Sequence, residues 1–183
     1  RSARRHPPRP GPAARFTATC DAVPVGWSMC GRTLPSPVDI SAVAGVRVRI
    51  HGDGKGQSFK IQFVDGKGGA RDYYIPITFT GWKEVEVTSA SLDTMKPGAP
   101  MTGLNLYYNG LPASSTVECV IDEIQAVIRR DDGTTAARVL EDFSGIDWWQ
   151  PSVSLVAEAD SRYGFDDLAF AVIASPRSDF FDV

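Results

Sequence analysis

The stretch from Gly45 to Trp82, GVRVRIHGDGKGQSFKIQFVDGKGGARDYYIPITFTGW, decides the fold. Val46, Val48 and Ile50 alternate with Arg47 and Arg49, and Phe59, Ile61 and Phe63 alternate with Ser58, Lys60 and Gln62. A period of two with one apolar face marks strands that bury one side against a second sheet and turn the other to water. The intervening segments, HGDGKG from His51 to Gly56 and DGKGG from Asp65 to Gly69, supply residues that tolerate positive φ, as tight antiparallel connections demand.

Working outward, the same signals predict strands at Arg15–Cys20, Gly26–Arg32, Gly45–His51, Ser58–Val64, Asp72–Phe79, Lys83–Val87, Gly103–Asn109 and Thr116–Ile128. Ser89 to Met101, with Asp93, Pro97, Gly98 and Pro100, reads as a loop with room for one helical turn. No long segment carries apolar residues at helical spacing, so the fold class expected is all-β, an antiparallel β-sandwich of jelly-roll type.

Charge is unevenly spread along the chain. The 183 residues carry 19 Lys and Arg against 22 Asp and Glu, a net charge of −3. Five of those basic residues, Arg1, Arg4, Arg5, Arg9 and Arg15, stand at the N-terminal end, and without them the balance is 14 to 22. An acidic body argues against a nucleic-acid groove, which needs a basic stripe. Residues 1–14 are rich in Pro and Arg and read as an extended linker, with a basic arm for a polyanion as the other reading. No apolar run reaches the roughly 20 residues that cross a bilayer. The opening residues also lack an apolar core of the signal-peptide kind, so if the protein is secreted its signal is expected outside this sequence.

The chain holds three cysteines and no CxxC. Cys20 and Cys30 flank a short turn-like segment and could pair across a hairpin in an oxidising compartment, leaving Cys119 in the last strand; three reduced thiols is the competing reading. Catalysis finds little support. The two histidines, His6 and His51, fall in the tail and at a turn, there is no Gly-Xaa-Ser-Xaa-Gly, and the glycines after His51 lack P-loop spacing. Asp122 and Glu123, as neighbours in a strand, are expected on opposite faces and so unable to flank one glycosidic bond.

Four segments in order resemble the galactose-binding-like β-sandwiches that serve as carbohydrate-binding modules of bacterial polysaccharide-degrading enzymes. They are DISAVAGVRVRIHGDG from Asp39 to Gly54, FKIQF from Phe59 to Phe63, TGWKEVEV from Thr80 to Val87 and CVIDEI from Cys119 to Ile124. The likeness covers roughly residues 15–129. It implies a secreted, non-catalytic domain that binds a polysaccharide or oligosaccharide and targets a neighbouring catalytic domain of the same protein to its substrate, with no nucleic-acid or membrane partner. The rival readings are a structural or protein-interaction sandwich that buttresses neighbouring domains, and a jelly-roll lyase or hydrolase, for which no cluster of catalytic residues is visible.

Sugar-binding sandwiches stack pyranose rings on aromatic faces and fix hydroxyls with polar side chains. Alternation sends Arg47, Arg49, Lys60, Gln62, Asp72 and Tyr74 outward, and Leu104 and Leu106 inward, which turns Asn105, Tyr107 and Asn109 outward too. The ligand-binding candidates are therefore Arg47, Arg49, Lys60, Gln62, Tyr74, Asn105 and Tyr107, sharing one sheet face, with the cations suited to acidic sugars. A plain solvated sheet face is the alternative. The resemblance further implies that Trp82 packs inside. It also implies a structural calcium ion where Glu141 or Asp142 of an opening-strand motif meets Asp122 or Glu123 of the closing strand.

That motif, VLEDFSGIDWW from Val139 to Trp149, lies late in the chain. Residues 130–183 therefore either return to complete the sandwich with an edge strand or begin a second similar domain. In a strand, one of Trp148 and Trp149 would face outward.

Overall fold

The computed structural model describes residues 13–20, 26–111 and 114–143, and of Cys20, 150–151 and 165–173 the backbone alone. The strands are β1 (Ala13–Cys20), β2 (Gly26–Val38), β3 (Val43–Asp53), β4 (Ser58–Val64), β5 (Ala70–Pro76), β6 (Thr80–Val87), β7 (Leu92–Asp93), β8 (Met101–Leu111), β9 (Ser115–Arg129), β10 (Thr135–Glu141), β11 (Gln150–Pro151) and β12 (Phe165–Ile173). They form an all-β antiparallel sandwich. The first sheet has the order β12-β1-β9-β3-β6, with β10 also on β9, and the second has the order β11-β2-β8-β4-β5-β7.

The alternating apolar residues meet between the sheets. Val46, Val48 and Ile50 of β3 and Val117, Cys119, Ile121 and Ile124 of β9 face Phe59, Ile61 and Phe63 of β4 and Leu104, Leu106 and Tyr108 of β8 in one buried cluster. Each such side chain stabilises the fold by about 1.5–3 kcal/mol through burial. Phe16 of β1 stacks on Tyr108 with ring centroids 4.3 Å apart, and the Tyr108 hydroxyl donates to the Phe16 carbonyl oxygen at 2.5 Å. That bond ties the two sheets together and satisfies a phenol that burial would otherwise penalise.

Several boundaries differ from the expectation for local reasons. β5 ends at Pro76, which has no N–H to give, and Ile77 instead donates to the Gln57 carbonyl at 2.9 Å. The segment from Ser89 to Met101, read as a loop with room for one helical turn, instead carries the short strand β7, whose Leu92 and Asp93 pair with Asp72 and Arg71. β1 and β2 do not form a hairpin but lie in different sheets, and Cys30 is a free, buried thiol opposite Leu106. The disulfide considered between Cys20 and Cys30 is therefore not formed. Cys119 is likewise free and buried, and burial raises the pKa of Cys30 well above the ordinary value and that of Cys119 to about 12.

β10, carrying the motif that begins at Val139, runs antiparallel to β9 from Arg129 to Ile124, while β1 takes β9 from Ser115 to Ile121. Further along, β12 pairs with β1 and β11 with β2. Trp148 and Trp149 lie outside the described residues. Among the described residues no helix is long and apolar enough to cross a membrane.

Aspartate side chains close several turns among the described residues, and three of these carboxyls have shifted acidities. Asp39 accepts from the Ser41 amide, Asp65 from the amides of Lys67 and Gly69, and Asp132 from the Thr134 amide and hydroxyl. These bonds, led by the Ser41 amide, the Lys67 amide and the Thr134 hydroxyl respectively, hold all three carboxyls below the ordinary aspartate range. A depressed folded-state pKa contributes stability above the unfolded value, near 4, and that contribution is lost as pH falls through the folded values. The expected result is a denaturant midpoint that drops as pH is lowered below about 4, with a shallower drop in the triple variant Asp39→Asn, Asp65→Asn, Asp132→Asn. Unchanged pH dependence in that variant would show that the turns do not contribute.

Candidate functional site

The outer face of the second sheet is ordered in rows by its register. Met29, Tyr107, Lys60 and Tyr74 stand side by side across β2, β8, β4 and β5. On one side of that row lies Trp27, Asn109, Ser58 and Pro76, and on the other Gly31, Asn105, Gln62 and Asp72. All point away from the core because Cys30, Leu106, Ile61 and Tyr73, their neighbours along the strands, point into it. Lys60, Gln62, Tyr74, Asn105 and Tyr107 thus share one face.

These side chains are joined in a continuous polar chain. Asn105 Nδ2 and the Tyr107 hydroxyl both donate to Gln62 Oε1, at 3.0 and 3.2 Å. Gln62 Nε2 donates to Asp72 Oδ1 at 2.8 Å, and Lys60 Nζ donates to Asp72 Oδ2 at 3.2 Å. The Lys60 ammonium also sits 3.8 Å from the Tyr107 ring centroid and 5.7 Å from that of Tyr74. Lys60 and Asp72 are only 8% and 3% exposed, so the ion pair forms the floor of the face. Trp27, Gln62, Tyr74, Asn105 and Tyr107 are part-exposed above it. Trp27 lies 6.4 Å from Tyr107 with the rings tilted by 39°.

Burial first, and then the Asp72 charge, pushes the Tyr107 phenol up to about 12 and raises that of Tyr74. Both are neutral at physiological pH, which suits rings that stack on apolar sugar faces. Gly31 leaves room for this arrangement, since a Cβ there would collide with Asn105 Oδ1. Hydroxyl-bearing ligands are the chemistry this face can serve, with aromatic surface beside fixed amide and phenol groups.

The chain is similar to a solved carbohydrate-binding module. That structure is the family 11 carbohydrate-binding module from Clostridium thermocellum in complex with a β-1,3-1,4-mixed-linked tetrasaccharide, at 14% identity and a TM-score of 0.36, covering 64% of this chain and 95% of that one. No family model matches the sequence, and no curated protein matches it either.

Arg47 and Arg49 do not join the other five candidates. They belong to β3 in the first sheet, whose outer face looks the opposite way. There Arg47 is held by Glu86 at 2.7 Å and Arg49 by Asp122 at 3.3 Å. Alternation correctly turns them away from the core, but toward the far side of the sandwich. Trp82 is also corrected: it pairs with His51 on β3 and so points outward with it, half-buried, with the Arg49 guanidinium 5.0 Å from its ring and His51 edge-on at 5.5 Å. Partial burial is the leading cause of a lowered His51 pKa, opposed by Glu118 and Asp53.

The acids considered for calcium are divided between two environments. A β-bulge in β9 lets Ile121 pair with Ile50 and Glu123 with Arg49, leaving Asp122 as the extra residue. Asp122 and Glu123 consequently both lie on the outer face, contrary to simple alternation, with Asp122 on Arg49 and Glu123 accepting from Gln125. Glu141 points inward, buried between the sheets, where it pairs with Arg32 of β2 and accepts from the Phe143 amide at 2.6 Å. Asp142 is exposed. These four carboxylates do not converge as one ligand set, and among the described residues no group of three or more His, Cys, Asp or Glu does so.

Sequence reasoning missed the β2 contribution of Trp27, Met29 and Gly31. Their common parity, opposite to Cys30, was available as a signal. Which β8 residues they adjoin is set only by the β2–β8 register.

Proposed function

We propose that this chain is a non-catalytic carbohydrate-binding module of the galactose-binding-like sandwich type, which holds a polysaccharide or oligosaccharide across the outer face of its second sheet. The observation that carries this reading is the row Met29, Tyr107, Lys60, Tyr74 with Trp27 beside it, underlain by the Asn105–Gln62–Asp72 chain. Aromatic rings offer flat apolar surface to a pyranose, while the fixed polar groups meet its hydroxyls at low entropic cost. Asp72 is the one carboxylate among the described residues of that face, and Lys60 and Gln62 already occupy it. A two-carboxylate hydrolytic mechanism has no second member there. In the setting this reading implies, the module is secreted and concentrates an attached polysaccharide-degrading enzyme on its substrate.

The test is a glycan array with a pull-down on insoluble polysaccharides, using the whole chain. Selective retention that weakens several-fold in Trp27→Ala is the expected result. A folded sample that binds no glycan would point instead to a sandwich that buttresses neighbouring domains.

A further inference from the structure

We infer that the face takes an uncharged glycan and discriminates against uronates and other anionic sugars. This rests on the sugar-binding reading above and specifies its ligand class. The cations that would suit an acidic sugar are not available. Arg47 and Arg49 lie on the other sheet and are paired with Glu86 and Asp122. Among the described residues of the outer face of the second sheet, Lys60 is the single cation, and Asp72 neutralises it in a pair whose side chains are 10% and 4% exposed.

The neutrality of the remaining polar groups reinforces the point. Asn105 Nδ2, the Tyr107 hydroxyl, Gln62 Nε2 and Lys60 Nζ all spend donors within the network. Apart from the paired Lys60 and Asp72, the donors and acceptors of this network are the uncharged amides of Asn105 and Gln62 and the phenol of Tyr107. A sugar hydroxyl, which both donates and accepts, is matched by such neutral groups. A carboxylate would find only neutral donors and no unneutralised cation among the described residues of the face, so its desolvation would be incompletely offset.

Affinity electrophoresis of the whole chain through native gels provides the test, with hydroxyethyl cellulose and pectic galactan as neutral polymers and carboxymethyl cellulose and polygalacturonate as anionic ones. The same runs on Tyr107→Ala separate this face from the basic N-terminal segment. The expected result is Tyr107-dependent retardation by at least one neutral polymer, at least about tenfold weaker for its anionic counterpart, and changed by less than about twofold between about 50 mM and about 500 mM NaCl, since no net charge is screened. Anionic retardation that persists in Tyr107→Ala arises elsewhere on the chain and leaves the inference standing beside Tyr107-dependent neutral binding. Tyr107-dependent preference for an anionic polymer, collapsing in salt, overturns the charge inference while keeping the glycan reading. No Tyr107-dependent retardation in any gel, with both proteins folded, overturns both.

Discussion

Replacing Tyr107 with Ala abolishes retention on polysaccharide and leaves the domain folded; this is the expected outcome if the second sheet's outer face is the binding surface. Tyr107 stands centrally in its row, with Met29 on one side and Lys60 on the other. Its ring belongs to the outer face, so truncation opens no cavity between the sheets. Loss of the ring removes apolar contact worth about 1.5–3 kcal/mol if the sugar covers it fully, or roughly a ten- to 150-fold weakening. A weak module becomes undetectable in a pull-down at that level. Tyr107→Phe keeps the ring and removes only the hydroxyl that donates to Gln62 Oε1, so about 0.5–1.5 kcal/mol is expected to go and partial retention to survive. Undiminished retention in Tyr107→Ala, with an unchanged thermal midpoint, would exclude this residue from the binding surface.

Asp72→Ala has the largest expected effect on stability, about 3 kcal/mol, because it strands the Lys60 ammonium in a site where that residue is 8% exposed. The same change leaves Gln62 Nε2 without its acceptor. Part of the cost is relieved if Lys60 swings toward water past the tyrosine rings, which keeps the figure at the lower end for a broken buried pair. The pair itself contributes far less net stability than the single variant suggests, since desolvation of both charges offsets their attraction. Lys60→Met combined with Asp72→Leu is therefore expected to recover most of the loss. Urea unfolding of Lys60→Met, Asp72→Leu and the double variant measures the coupling directly. A loss below about 1 kcal/mol in Asp72→Ala would mean that Lys60 is solvated without its partner.

How much of this was legible beforehand depends on the kind of information each feature needs. Ser58–Val64 was expected as a strand and is found with those bounds, because its alternation is strict and glycine-rich turns lie close by. Lys60, Gln62, Tyr74, Asn105 and Tyr107 were placed on the outward side of their strands by the same parity, and β4, β5 and β8 bring them into adjacent rows. Parity gave Arg47 and Arg49 the same label, outward, yet they face the other way across the sandwich. A period of two distinguishes core from solvent but carries no information about which sheet a strand joins.

The acidic pair in β9 failed for a related reason. A bulge at Asp122 shifts the register by one residue, and nothing in the sequence Ile-Asp-Glu-Ile announces it. Trp82 was expected inside because of its size and its corner motif, but its pairing with His51 decides its side.

By itself, then, the sequence determined the class of the fold and the inner and outer identity of most strand residues, because those follow from alternation and turn chemistry within a few residues of each position. Only the tertiary structure decided which outward residues are neighbours, that Lys60 is buried and neutralised by Asp72, and that Trp27 and Met29 of β2 complete the face. Those facts depend on register and sheet order, which are fixed by contacts between segments far apart in the chain.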